Sequence, residues 1–159
     1  YLRSVDIGEP YEEAADGVWS EYLTMHELTE RLRAYGGVFA ALTGAVTELR
    51  VTATDRYGSG FVTELTAADG EGNTAVLRYS APIRQALGLK SANFTLTPVT
   101  LRRPNGSVYQ TGVRIDGKGH GHGVGLSGTG AAYLSESLGY DYTRILAAYF
   151  PGTALKTQG

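Results

Sequence analysis

Glycine occupies every odd position from Gly117 to Gly125 in the stretch Gly117-Lys118-Gly119-His120-Gly121-His122-Gly123-Val124-Gly125-Leu126-Ser127. No other part of the chain so narrows what it can become. If the segment is extended, alternate residues face opposite sides. One side is then bare backbone, and the other carries Lys118, His120, His122, Val124 and Leu126. Glycine in a strand costs conformational entropy and packs nothing. An unbroken alternation of it therefore describes a surface that something approaches closely. If the glycines take positive φ instead, the same residues form a tight loop presenting backbone N–H groups. Either conformation makes a site rather than a core strand, and the two imidazoles are its polar chemistry.

The following residues extend the pattern. Gly130 to Leu138 reads as a helix with Ser127 or Thr129 as N-cap and Gly139 as its C-terminal stop. Asp141 caps a second helix, whose Tyr142, Ile145, Leu146 and Tyr149 fall at helical spacing, and Pro151-Gly152 ends it. A glycine-rich segment entering a helix can bind an anion. Phosphate is nevertheless disfavoured. No Gly-Lys-Ser/Thr follows, and the one full G-x-G-x-x-G match, Gly123-x-Gly125-x-x-Gly128, has only Asp141, a helix cap, as its acidic partner.

Bulk properties bound the rest. A chain of 159 residues, 42% hydrophobic and 19% charged, is expected to be a single globular domain with its own core. A net charge of −2, with no basic cluster beyond Arg102-Arg103, argues against nucleic acid. The absence of cysteine excludes a thiol nucleophile, a thiolate zinc site and any disulfide. A zinc pair at His120 and His122 would need distant carboxylates, because His26 is the only other histidine. No metal and no cofactor are expected. The longest mainly apolar run, Val38 to Val46, is too short to span a bilayer. The chain opens on Tyr1 without Met and is expected to be a fragment or processed form.

Patterning predicts an α+β fold: a mainly antiparallel β-sheet with helices near both chain ends. Residues 1–23 read as irregular, acidic and aromatic. Thr24-Met25-His26-Glu27 is a capping box, leading a helix that Gly36-Gly37 ends. Val46 to Ala53 alternates as a half-buried strand, and Arg56 to Gly60 turns it. Phe61, Thr63, Leu65 and Ala67 are expected on one face of the return strand, and Asp69 to Asn73 turns into a strand at Thr74 to Tyr79. Pro82 suits the first position of a short helix ending at Gly88. Asn93 to Leu101 and Ser107 to Ile115 read as a hairpin across Pro104-Asn105-Gly106.

These residues resemble a known family. Gly117-x-Gly119-x-Gly121-His122-Gly123-Val124-Gly125-Leu126-Ser127 is similar to the G-x-G-x-G-H-G-V-G-M-S signature of the stage II sporulation protein D family, which includes the amidase enhancers. Gly130-Ala131, Gly139-Tyr140-x-Tyr142-x-x-Ile145-Leu146 and Tyr149-Phe150-Pro151-Gly152-Thr153 resemble its C-terminal pattern in the same order. Upstream, Arg56-x-x-Ser59-Gly60-x-Val62 is similar to its S-G-R-type hairpin. Ile83-Arg84-x-x-Leu87-Gly88-Leu89-x-Ser91-x-x-Phe94 resembles its R-x-x-L-G-L-x-S-x-x-F segment, and Tyr1-Leu2-x-Ser4-Val5 an internal element.

The resemblance implies bacterial peptidoglycan glycan strands as substrate, an extracytoplasmic, cell-wall or secreted location, and a cell-wall amidase as a further partner. It makes this chain the C-terminal part of a larger peptidoglycan-acting domain whose parent is a lytic transglycosylase, in cell-wall or spore remodelling. The alternative is a non-catalytic glycan-binding or amidase-activating module. Transglycosylation needs one carboxylic acid, which protonates the glycosidic oxygen and then, as carboxylate, takes the proton of the muramyl C6 hydroxyl as it closes onto C1. The family's alanine-rich helix after the catalytic glutamate is not found here, so Glu9 receives no catalytic role and the acid is unknown. Gly128 stands where the family usually has glutamine. The implied substrate-binding residues are Gly119, His120, Gly121, His122, Gly123 and Ser127. Of these, His120 suits stacking, and Ser127 has helix capping as its simplest role.

Overall fold

A computed structural model describes residues 17–156. Tyr1-Leu2-x-Ser4-Val5 and Gly8-Glu9-Pro10 lie outside the described residues. The chain divides into two compact units, a body drawn from Tyr11–His122 and a second unit that takes in the chain from Gly123 onward.

The body begins with β1 (Val18–Thr24), α1 (Met25–Tyr35) and a 3₁₀ turn at Gly37–Ala41. The meander β2 (Val46–Thr54), β3 (Val62–Asp69) and β4 (Thr74–Arg78) follows, then α2 (Ser80–Leu87), β5 (Asn93–Arg102) and β6 (Val108–Lys118). The strands form two antiparallel sheets of three, ordered β1-β6-β5 and β2-β3-β4. The α+β, mainly β architecture is as expected, with two sheets in place of one. Leu23, Leu28, Leu32, Val62, Leu65, Ile83, Leu87 and Ile115 belong to one buried cluster, so both sheets and both helices of the body share a core.

Several elements follow from local chemistry. The Thr24 hydroxyl accepts from Glu27 N at 3.0 Å, and the Glu27 carboxylate accepts from Thr24 N at 2.8 Å, which completes the capping box of α1. Gly88 closes α2 in the left-handed region, with its N–H donating to Gln85 O and that of Leu89 to Arg84 O, as in a Schellman end.

Three expectations need correction. Val18–Thr24 is a strand, not irregular chain. Its alternation is disguised by Glu21, which lies in the strand's alternation between buried Trp19 and Leu23. Glu21 is held by Arg31 of α1 at 2.6 Å, and Arg31 also donates to Leu87 O at 2.6 Å. Pro82 is the third residue of α2 rather than the first. On β3, Val62 is buried with Leu65 and Ala67, in place of Phe61 and Thr63. Register shifts between Val51 and Thr54 displace the alternation there.

Asp69 ends β3 almost fully buried. Its carboxylate accepts from the Asn73 side-chain amide (2.9 Å) and from the N–H groups of Gly44 (2.9 Å), Asn73 (2.8 Å) and Glu71 (3.0 Å). The Asn73 amide, and then these backbone donors, hold its carboxyl well below the usual carboxylate range.

Candidate functional site

The glycine segment is neither wholly strand nor wholly loop. Gly117 and Lys118 finish β6. Gly117 lies under the indole of Trp19, where a Cβ would collide with ring carbons. Beyond Lys118 the glycines turn to positive φ: 68° at Gly119, 95° at Gly121, 69° at Gly123 and 91° at Gly125. Of the two conformations open to the sequence, the loop is adopted from Gly119 on.

The body holds the base of this loop from several elements. The Trp19 indole N–H donates to Gly119 O at 2.9 Å. Gly119 N donates to Gly17 O at 2.9 Å and Gly121 N to Lys90 O at 2.8 Å. The buried Ser91 hydroxyl donates to Lys118 O, and Ser91 pairs with Gly121 in a parallel bridge. The N–H groups of Gly119 and Gly121 are therefore spent on carbonyls of the body. They are not presented outward as an anion nest would present them. A Cβ at Gly119 or Gly121 would meet nothing within 4 Å. Both glycines are needed for their φ, not to admit a neighbouring side chain. His120 and His122 are exposed.

A second chain of bonds ties this base to the β2–β3 turn. Asn93, opposite Lys118 in the β5–β6 register, donates from its N–H to Ser91 Oγ at 3.2 Å and from its side-chain amide to Ser59 O at 3.0 Å. Ser59 donates from N–H (2.8 Å) and hydroxyl (2.7 Å) to Asp55 Oδ1. Phe61 bridges Asn93 directly. Ser59, in the turn read from the sequence, and Ser91, which only the resemblance singles out, are thus joined through Asn93 at the loop base. Trp19 and Asn93 were not picked out. For Trp19 the missed signal was the alternation of Val18–Thr24, and for Asn93 it was the position of the hairpin's first residue across from Lys118.

The remaining site residues belong to the second unit. There Ser127 is the N-cap of α3 (Gly128–Glu136), and its hydroxyl accepts from Gly130 N at 3.1 Å. Asp141 caps α4 (Tyr142–Tyr149), accepting from Thr143 Oγ1 at 2.6 Å and Arg144 N at 2.9 Å. The Thr143 hydroxyl first, then the Arg144 N–H, lowers its pKa. Gly119, His120, Gly121 and His122 are brought together on the body, whereas Gly123 and Ser127 lie in the other unit. Among the described residues no group of His, Cys, Asp and Glu gathers in a form able to hold a metal ion, and no helix is long and apolar enough to cross a membrane.

Comparison with known proteins gives two findings. Over 41 residues, 26% of the chain, the sequence is 51% identical to a Bacillus subtilis (strain 168) protein named amidase enhancer, of whose length the match spans 6%. A family model matches residues 11–125, which takes in the body's strands and the glycine loop as far as Gly125, and the chain therefore belongs to that family, a domain of unknown function (DUF8618).

Proposed function

We propose that this domain binds the glycan strands of bacterial peptidoglycan at the loop Gly119–His122, as part of a lytic transglycosylase-like, extracytoplasmic cell-wall protein. The observation that supports this most is the base of the loop. Its backbone is held by Trp19, Lys90, Ser91 and Gly17, so the outward chemistry is carried by the imidazoles and the bare glycine Cα faces. A held backbone orders few groups on binding, which lowers the entropic cost of association. Imidazole can donate to and accept from sugar hydroxyls and acetamide groups. No carboxylic acid in this reading comes from the described residues, so cleavage by the parent would draw its acid from elsewhere.

A second reading, activation of a cell-wall amidase, is favoured by the partial match to a protein named amidase enhancer. One experiment separates the two. The purified domain is mixed with peptide-stripped glycan strands and sedimented, and in parallel is added to a cell-wall amidase acting on intact peptidoglycan. Glycan retention that falls on His120→Ala and His122→Ala supports the first reading. Faster amidase turnover without glycan retention supports the second, and a folded domain inert in both assays would refute both.

A further inference from the structure

Tyr79 has a backbone that tyrosine rarely adopts. Its φ of 73° and ψ of 137° fall where only glycine is at ease, and it is the one non-glycine residue with positive φ among the described residues. The corner is firmly held. Tyr79 N donates to Thr63 O at 2.8 Å, its carbonyl accepts from Ile83 N at 3.2 Å, and Ser80 Oγ donates to Val62 O at 2.7 Å. These bonds need only backbone at position 79, and glycine would make them without strain. The ring does not answer for the choice of tyrosine through packing, because it is 74% exposed. The fold bears a strained residue for a side chain that it does not use.

Position supplies the use. Two consecutive residues of β3 carry the connection: Val62 N donates to Ala92 O at 2.8 Å, and Thr63 O accepts from Tyr79 N. Ala92 lies between Ser91, which bonds Lys118 and bridges Gly121, and Asn93, which pairs with Lys118. Tyr79 and Ala92, the latter in the segment that carries the glycine loop, therefore bond adjacent residues of β3.

We propose that Tyr79 is a sugar-stacking residue, offering its flat apolar face to the C–H face of a hexopyranose in the glycan strand whose polar groups meet the loop. This rests on the glycan reading above. An aromatic ring with a polar edge suits such a half-wet contact.

Three variants test it, each assayed by thermal melting and by binding to peptide-stripped glycan strands, with His120→Ala alongside. Tyr79→Gly removes both ring and strain, Tyr79→Ala removes the ring but keeps the unfavourable φ, and Tyr79→Phe keeps the ring. Tyr79→Gly should melt about 2–4 °C higher yet bind roughly three- to tenfold more weakly. Tyr79→Ala should bind as weakly without the thermal gain, and Tyr79→Phe should bind like the wild type. If Tyr79→Gly and Tyr79→Ala bind as well as the wild type while His120→Ala does not, the stacking role is overturned and the glycan site stands. If the folded wild type retains no glycan, both fall together.

Discussion

The glycines of β6 and those of the loop that follows it look alike in sequence and differ in cause. Gly112 and Gly117 lie in the strand beneath aromatic side chains: a Cβ at Gly112 would meet Leu23 O and, at 2.6 Å, Tyr22 Oη, and one at Gly117 would enter the Trp19 ring. Gly119 and Gly121 lie beyond the strand, where a Cβ would meet open space and positive φ is the requirement. The alternation thus spans two devices. The first lets β1 lay its tryptophan across the sheet, and the second turns the chain sharply where that tryptophan's indole N–H grips Gly119 O.

The largest effect that can break this contrast is at Gly117. Gly117→Ala should destabilise the domain by about 3 kcal/mol, the upper range of overpacking costs, read from denaturant melts. Placed on Trp19→Ala, the same substitution should lose most of its cost, a coupling that a double-mutant cycle measures directly. Additive costs would mean that the indole is not what excludes the methyl group.

Gly119→Ala and Gly121→Ala come next, at about 1–2 kcal/mol each for holding alanine at positive φ. The cost at Gly121 should be the same with or without Trp19, because no side chain opposes the new methyl and the indole bonds Gly119 O. A cost that vanished along with Trp19 would erase the distinction between strand and loop glycines.

Much of this framework is legible in the sequence, and the exceptions share a cause. The capping box at Thr24 and Glu27, the left-handed stop at Gly88 and the turn at Pro104-Asn105-Gly106 are decided by residues within a few positions of each other. The grip of Trp19 on Gly119 spans 100 residues, and nothing local announces it. Likewise Glu21 breaks the apolar face of β1, and only its partner Arg31, on the next element, explains why a strand tolerates it there. The loop's conformation was open between extended and positive φ because glycine permits both. Tertiary bonds from Lys90, Ser91 and Trp19 accompany the turn that the chain takes.

A smaller effect lies in the other hydrogen-bonded turn of the body. Asp69 has its pKa lowered in the fold. A depressed carboxylate contributes stability that is fully present above its unfolded pKa, about 3.9, and is lost as pH falls through the folded value. The denaturation midpoint should therefore drop below about pH 4, and Asp69→Asn should flatten that drop while lowering stability at neutral pH. An unchanged acid profile in Asp69→Asn would assign the acid sensitivity to other carboxylates. The glycine loop, held by neutral donors and backbone, should show no matching dependence in its amide shifts over the same range.

The smallest effect on stability should accompany the largest effect on binding. His120 and His122 are exposed on the loop whose base is fixed from beneath. Truncating either to alanine should shift stability by no more than the roughly 0.5 kcal/mol of ordinary surface changes, while retention on peptide-stripped glycan strands falls several-fold. Gly121→Ala should do the reverse in proportion, losing stability first and binding only as the loop is displaced. The two kinds of variant thus pull architecture and chemistry apart at neighbouring positions. A His122→Ala protein that unfolds while Gly121→Ala melts like the wild type would make the histidine a brace for the turn, and the binding surface would have to be sought elsewhere on the body.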